Sequence, residues 1–361
     1  VALTWEDLAG RALARQFPER PTDVSGMLDA MGPVQSQTAR SPFLGLAARF
    51  PGVTRDAVSA AYEAGTVVRG STIRGTVHTA TPEQYAALGA VTRVGQRTLW
   101  QRLLQLERSR LEDLWSDTET FAADWRSTDE LQAHLHAWLL AHEGRDEVAG
   151  QQVGRYLAFG HGGLVRRPVN GDWAGQGAPA YRTLAPRVPA TPTDAVLLHL
   201  RCHGPASRHD LAWWSGLGLR VVDEVLDGLG LVGEEGPDGR TYVDLPDAPA
   251  PTSLGGVRLL PEFDALMCAY EPTARERFAH PDHLRRLWSG ANGMVLPPLL
   301  VDGRITGYWR ATGSARRRPM EVVWFAGTRR PRRAELDAPV AALEAGLGIT
   351  VTDVTLTREQ V

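Results

Sequence analysis

Residues 203–243, HGPASRHDLAWWSGLGLRVVDEVLDGLGLVGEEGPDGRTYV, constrain the fold more than any other stretch of the chain. Ser207 followed three residues later by Asp210 reads as a capping box, in which hydroxyl and carboxylate satisfy the first amides of a helix. A short helix over 208–214 meets Ser-Gly-Leu-Gly. A second helix follows over 219–228, and Gly230 stops it. LVGEE and TYVDL then read as strands joined by the Gly-Pro-Asp-Gly turn at 236–239. Helix, tight turn, helix and β-hairpin in that order is the winged-helix arrangement.

The order recurs twice, in less regular form. Residues 127–170 open with a capping box at Ser127 and Glu130. They continue with LQAHLHAWLL at helical spacing, a loop, QQVGRYLAFGHGG and the strand-like LVRRPV. Residues 3–80 hold another box at Thr4 and Asp7, then LTWEDLAGRALARQ, a proline-rich break, SGMLDAMG, TRDAVSAAYEAG and strand-like TVVRGSTIRGTVHTA. The expectation is an α+β protein of three tandem winged-helix units stacked as an array. A first unit with a helical extension spans 1–126, the second 127–190 and the third 191–250. A β-rich C-terminal domain spans 251–361. Two segments rich in Pro, Ala and Gly, 173–193 and 247–256, read as linkers. In the last domain Val-Asp-Gly-Arg marks a hairpin. ITGYWRA and MEVVWFA form a second strand pair whose tip carries Arg316, Arg317 and Arg318. RRAELDAPVAALEAGLG reads as a helix.

Bulk composition excludes several function classes. No apolar run is long enough to span a bilayer, and VALTWEDLAG carries acids where a secretory leader would be basic and apolar. Two cysteines, Cys202 and Cys268, make neither a disulfide framework nor a zinc set, and the expected address is cytoplasmic. The formal net charge of −3 argues against an obvious nucleic-acid binder. Local patches nevertheless stand out: Arg316 to Arg318, Arg329 to Arg333, and the pair Arg166 and Arg167. All 39 basic residues are arginine, so no side-chain amine can form a Schiff base. His134 and His136 lie two apart on a helix and face different ways, and no acid or cysteine set completes a zinc site with His199, His203 and His209.

The chain resembles the AlkZ-type winged-helix DNA glycosylases, part of a broader family of winged-helix DNA-binding-domain proteins. The matching residues are VQSQ (34–37), RGTVH (74–78), HGPASRHDLAWWSGL (203–217), LLPEFDALM (259–267) and LVDGRITGYWR (300–310), which run through nearly the whole chain. The resemblance implies a C-shaped molecule with duplex DNA in its concave channel. It implies a catalytic signature of two glutamines flanking an aliphatic residue. Gln35 and Gln37 match that signature. Ser36 departs from it. The expectation is a monomer without cofactor or metal.

Glutamine is a poor acid and a poor base, so the pair needs a chemical reason. Hydrolysis of an N-glycosidic bond passes through an oxocarbenium-like sugar. A base alkylated at a ring nitrogen is already cationic and departs without a general acid. Two amides, each with a carbonyl acceptor and an NH₂ donor, can hold and orient the attacking water. Residues two apart in an extended segment reach the same side. The other reading of Gln-x-Gln at a turn is a solvated or backbone-capping arrangement. The expected DNA contacts are Arg74, His78, His161, Arg166 and the Arg316–Arg318 tip, with His78 serving either to touch phosphate or to hold the first wing. The Trp213–Trp214 pair reads as core.

Two functions follow from this reading. The first is a monofunctional glycosylase that releases N7- or N3-alkylated purines, including bulky natural-product guanine adducts or interstrand crosslinks, and leaves the abasic strand uncut. The second is a winged-helix transcriptional regulator without catalysis.

Overall fold

The computed structural model describes residues 2–19, 21–147, 160–185, 189–288, 293–313 and 315–359. Local signals set most of its elements. All three capping boxes form, at Thr4 with Asp7, Ser127 with Glu130, and Ser207 with Asp210. The two helices expected after Ser207 span Arg208–Ser215 and Leu219–Leu229, and each stops at a left-handed glycine, Gly216 and Gly230.

Among the described residues the strands gather into three sheets. The largest contains β1 (Val34–Gln35), β2 (Val68–Ser71), β3 (Val77–Ala80), β4 (Arg126–Ser127), β5 (Leu164–Pro168) and β6 (Pro179–Thr183). Its order is β1-β3-β2-β5-β6-β4, so strands from the first two expected units share one sheet. At the seam Gly70 pairs with Val165, and Tyr85 donates its hydroxyl to the Leu164 carbonyl at 2.6 Å. A Cβ on Gly70 would lie 2.2 Å from the Tyr85 hydroxyl, so this approach requires glycine. The strand β6 lies inside the 173–193 stretch expected to be a linker. Its buried Tyr181 explains the difference, because that ring joins Leu164, Trp115 and Leu135 in a core that proline and alanine content does not reveal. The segment 151–159, expected to hold the second unit's recognition helix, lies outside the described residues.

The second sheet, β7 (Ala206–Ser207), β8 (Gly233–Glu235) and β9 (Thr241–Val243), has the order β7-β9-β8. The helices Pro192–His203, Arg208–Ser215 and Leu219–Leu229 accompany it in the chain.

The third sheet runs β10 (Val257–Leu259), β11 (Pro298–Val301), β12 (Arg304–Ala311), β13 (Arg317–Phe325) and β14 (Thr350–Glu359) in spatial order. Asp302 and Gly303 both have positive φ, 48° and 76°, as a two-residue hairpin turn with right-handed strand twist requires. Pairing is antiparallel as far as β13, and β14 then joins β13 in parallel. A parallel return needs a crossover, which the helix Asp337–Leu347 supplies.

That helix packs on Ser41–Arg49, the helix that follows the Gln-Ser-Gln segment. Every residue of Ser41–Arg49 is buried. Arg49 forms a two-pronged pair with Asp264 at 2.9 and 3.0 Å and also donates to Gln16 at 2.9 Å. Arg40 pairs with Glu262, two residues before Asp264 in the same LLPEFDALM stretch. The chain around residue 36 is thereby clamped between a buried helix and the β2–β3 hairpin.

Candidate functional site

Two residues long, β1 lies at the rim of the six-stranded sheet, with Val34 opposite Thr79 and Gln35 opposite His78. The Ser36 N–H continues the ladder to the Val77 carbonyl at 2.6 Å. The strand ends at Gln35, and Gln37 follows two residues on at a bend. Gln35 is 8% exposed, whereas Gln37 is open to solvent. The amide oxygen of Gln35 accepts from Arg74 Nη2 at 3.4 Å, and that of Gln37 from the Val77 N–H at 3.4 Å. Both contacts are long, so the two carboxamides are oriented without being locked. Ser36 is buried, donating to the Val34 carbonyl at 3.0 Å and meeting Thr79 Oγ1 at 2.7 Å.

Arg74 stands at the tip between β2 and β3 with φ 54° and ψ 22°, a left-handed conformation that a non-glycine residue adopts at some cost. Sequence reasoning assigned it to DNA. Its side chain instead turns inward: Nη1 donates to the Trp214 carbonyl and, at 3.4 Å, to the Trp213 carbonyl. Those carbonyls belong to the last turn of Arg208–Ser215, where helix oxygens lack partners and a cation is favoured. One guanidinium therefore links the first hairpin, a helix of the third expected unit and the oxygen of Gln35. Burial lowers its pKa.

The other expected contacts divide. His78 is 3% exposed, with Nδ1 2.9 Å from Thr72 Oγ1. Burial, reinforced by Arg74, pushes its pKa down to about 3, so the ring is neutral and braces the hairpin. His161 is fully buried, its Nε2 3.0 Å from Glu119 Oε1 and its ring stacked on Trp115, an internal role where DNA contact was expected. Arg166 is half-buried on β5 opposite Tyr181, and burial lowers its pKa. Arg316 and Arg317 are exposed at the β12–β13 tip, as expected of a hairpin that offers its cations outward. Arg318 is half-buried and donates to the Ala315 carbonyl at 2.7 Å. Of the tryptophan pair, Trp214 is core, but Trp213 is 39% exposed over the guanidinium of Arg275.

His134 and His136 go to different carboxylates, Asp117 and Asp146. Among the described residues no group of three or more metal-ligating side chains comes together. Sequence reasoning missed Arg69, a fully enclosed cation beneath Ser36. Nothing in its local pattern marks it as interior.

A family model described as DNA glycosylase AlkZ-like matches residues 28–345. The solved structure of Streptomyces sahachiroi DNA glycosylase AlkZ aligns with a TM-score of 0.81 at 20% identity, covering 99% of this chain and 100% of that one. No curated protein sequence matches. The structural likeness speaks for the mixed α+β fold, and the family model speaks for descent.

Proposed function

The chain belongs to the AlkZ-like DNA glycosylase family, and on that footing we propose that Gln35 and Gln37 carry the hydrolysis of N-glycosidic bonds to cationic N7- or N3-alkylated purines. The observation that supports this most is the pair itself: two uncharged amides two residues apart at the end of β1, one of them open, both bonded through their oxygens to N–H donors of the β2–β3 hairpin. An amide pair does not generate hydroxide. It holds a water in line and offers dipoles to a sugar that gains positive charge as the base leaves. A leaving base that already carries a positive charge needs no acid, and the neutral His78 beside the pair supplies none near pH 7. Arg74 steers the Gln35 oxygen from the side through its long contact.

Base release without strand cleavage is the expected outcome, because the imine route runs through a lysine or an N-terminal amine and this chain has no lysine to supply a side-chain amine. Three winged-helix units in a C around duplex DNA complete the proposal, with the helix, strand, helix, helix and hairpin order of 192–243 as its best-formed part. The Arg316–Arg318 tip grips the backbone or a groove. Bulky guanine adducts and crosslinks are the substrates that an open rim of this kind admits without flipping a base into a closed pocket.

The test is release of 7-methylguanine from duplex DNA, read as alkali-dependent strand breaks. Gln35→Ala and Gln37→Ala should each slow release by about 10²–10³-fold, the scale of losing one positioned dipole in a polar site. Wild-type release that survives in both variants overturns the assignment. Strand breaks without alkali overturn the monofunctional part. A sequence-specific footprint with no base release supports the regulator instead.

A further inference from the structure

Beneath the glutamines runs a line of buried polar groups that an aliphatic residue at position 36 would interrupt. Arg69 is 4% exposed, Tyr62 5%, Thr79 0% and Ser36 2%. Arg69 Nη2 lies 2.9 Å from the Tyr62 hydroxyl, that hydroxyl 2.6 Å from Thr79 Oγ1, and Thr79 Oγ1 2.7 Å from Ser36 Oγ, which reaches the Val34 carbonyl at 3.0 Å. The two ends fix every proton between them. A guanidinium can only donate and a carbonyl can only accept. Tyr62 therefore accepts from Arg69 and donates to Thr79, Thr79 also takes a long contact from Arg69 Nε at 3.5 Å and donates to Ser36, and Ser36 donates to Val34.

Arg69 also holds the far end of the same segment, because Nη2 donates to the Ala39 carbonyl at 3.1 Å. Its Nη1 donates to the Trp173 carbonyl at 2.9 Å, on the connection between β5 and β6. The guanidinium lies over the Tyr62 ring at 4.8 Å, and that ring stacks on Trp173 with centroids 4.2 Å apart. All the oxygens it reaches are uncharged. A buried cation held by neutral oxygens and ring faces is weakened by the loss of any one of them, and its carbonyl contacts to Trp173 and Ala39 anchor it.

We propose that Arg69, Tyr62 and Thr79 are positioning residues that act through Ser36: a one-way hydrogen-bond chain from a buried guanidinium sets the height and twist of the backbone between Gln35 and Gln37. Serine suits position 36 because its hydroxyl receives from Thr79 and passes on to Val34, which an aliphatic side chain cannot do. The kinetic consequence rests on the glycosylase reading above; the structural one does not.

Two measurements on the full chain separate these. Tyr62→Phe removes one hydroxyl and keeps the ring, its stack on Trp173 and its face toward Arg69. Hydrogen–deuterium exchange at the Ser36 amide should rise about tenfold or more in Tyr62→Phe, the size of losing one net hydrogen bond, with the helix Pro82–Gly95 unchanged. Single-turnover release of 7-methylguanine should fall by about 10–100-fold, as small misplacements of reacting groups do, with duplex affinity held within about twofold. Thr79→Val should behave like Tyr62→Phe, and Thr79→Ser, which keeps the hydroxyl, like wild type. Because the groups act in series, adding Ser36→Ala to Tyr62→Phe should slow release no further. Unchanged exchange in both Tyr62→Phe and Thr79→Val overturns the proposal, as does a rate loss matched by an equal loss of affinity. A wild-type protein that releases no base overturns the glycosylase reading alone, and exchange still decides the chain.

Discussion

Removing Arg49 strands a carboxylate in the interior. Its partner Asp264 is 2% exposed, and the pair is made through both prongs of each group. Arg49→Ala should cost about 3–5 kcal/mol, the range for breaking a buried pair on one side, read as a lower midpoint in urea. Arg49→Ala with Asp264→Ala should cost less than the two single changes added, because the double variant leaves no charge behind. Asp264 thus sits within the LLPEFDALM stretch as a structural residue, fastening the helix after the glutamines to the C-terminal part. At this scale the sequence told which residues lie close along the chain and little about which are covered. Gln35 and Gln37 two residues apart are a local fact. The 8% exposure of Gln35 depends on contacts such as that of Arg74, which arrives from the β2–β3 tip, and His78 and His161 are buried by equally non-local packing.

Elements were legible where their signals are local. Capping boxes, left-handed glycines and the Asp-Gly turn placed helix ends and hairpins to within a residue or two. The strands β6 and β14 escaped. The strand β6 hides in proline-rich composition and is recognisable only once Tyr181 is known to be buried. The strand β14 is parallel to β13, a pairing that no adjacent turn announces. The seam between β2 and β5 likewise rests on a close approach. Gly70→Ala would drive a Cβ to 2.6 Å from the Leu164 carbonyl as well as into the Tyr85 ring. The expected cost is about 1–3 kcal/mol, measured by thermal or urea unfolding, with exchange at β5 rising more than at β11.

Across the whole molecule, burial of neutral histidines sets how stability follows pH. Burial, the largest cause at each site, pushes His78 down to about 3 and His199 down to about 4, and holds His203 well below its ordinary value. Above pH 6.5 these rings are neutral folded or unfolded and stability is unaffected. Below it the unfolded chain takes up protons that the folded chain refuses, so stability falls as pH drops from about 6.5 toward 4. Each ring adds up to about 1.4 kcal/mol per pH unit to that slope. The melting temperature should therefore fall from pH 7.5 to pH 5, and His78→Asn should flatten the fall; an unchanged slope counts against a buried neutral His78. The six-stranded sheet has a consequence of its own for anyone dividing the gene. A cut at the nominal boundary after residue 126 would strip β2 of β5 and leave each piece with a raw strand flank, ready to recruit a stranger in place of its lost neighbour. The stretches 1–126 and 127–190, however separable they look on paper, are joined as one plank.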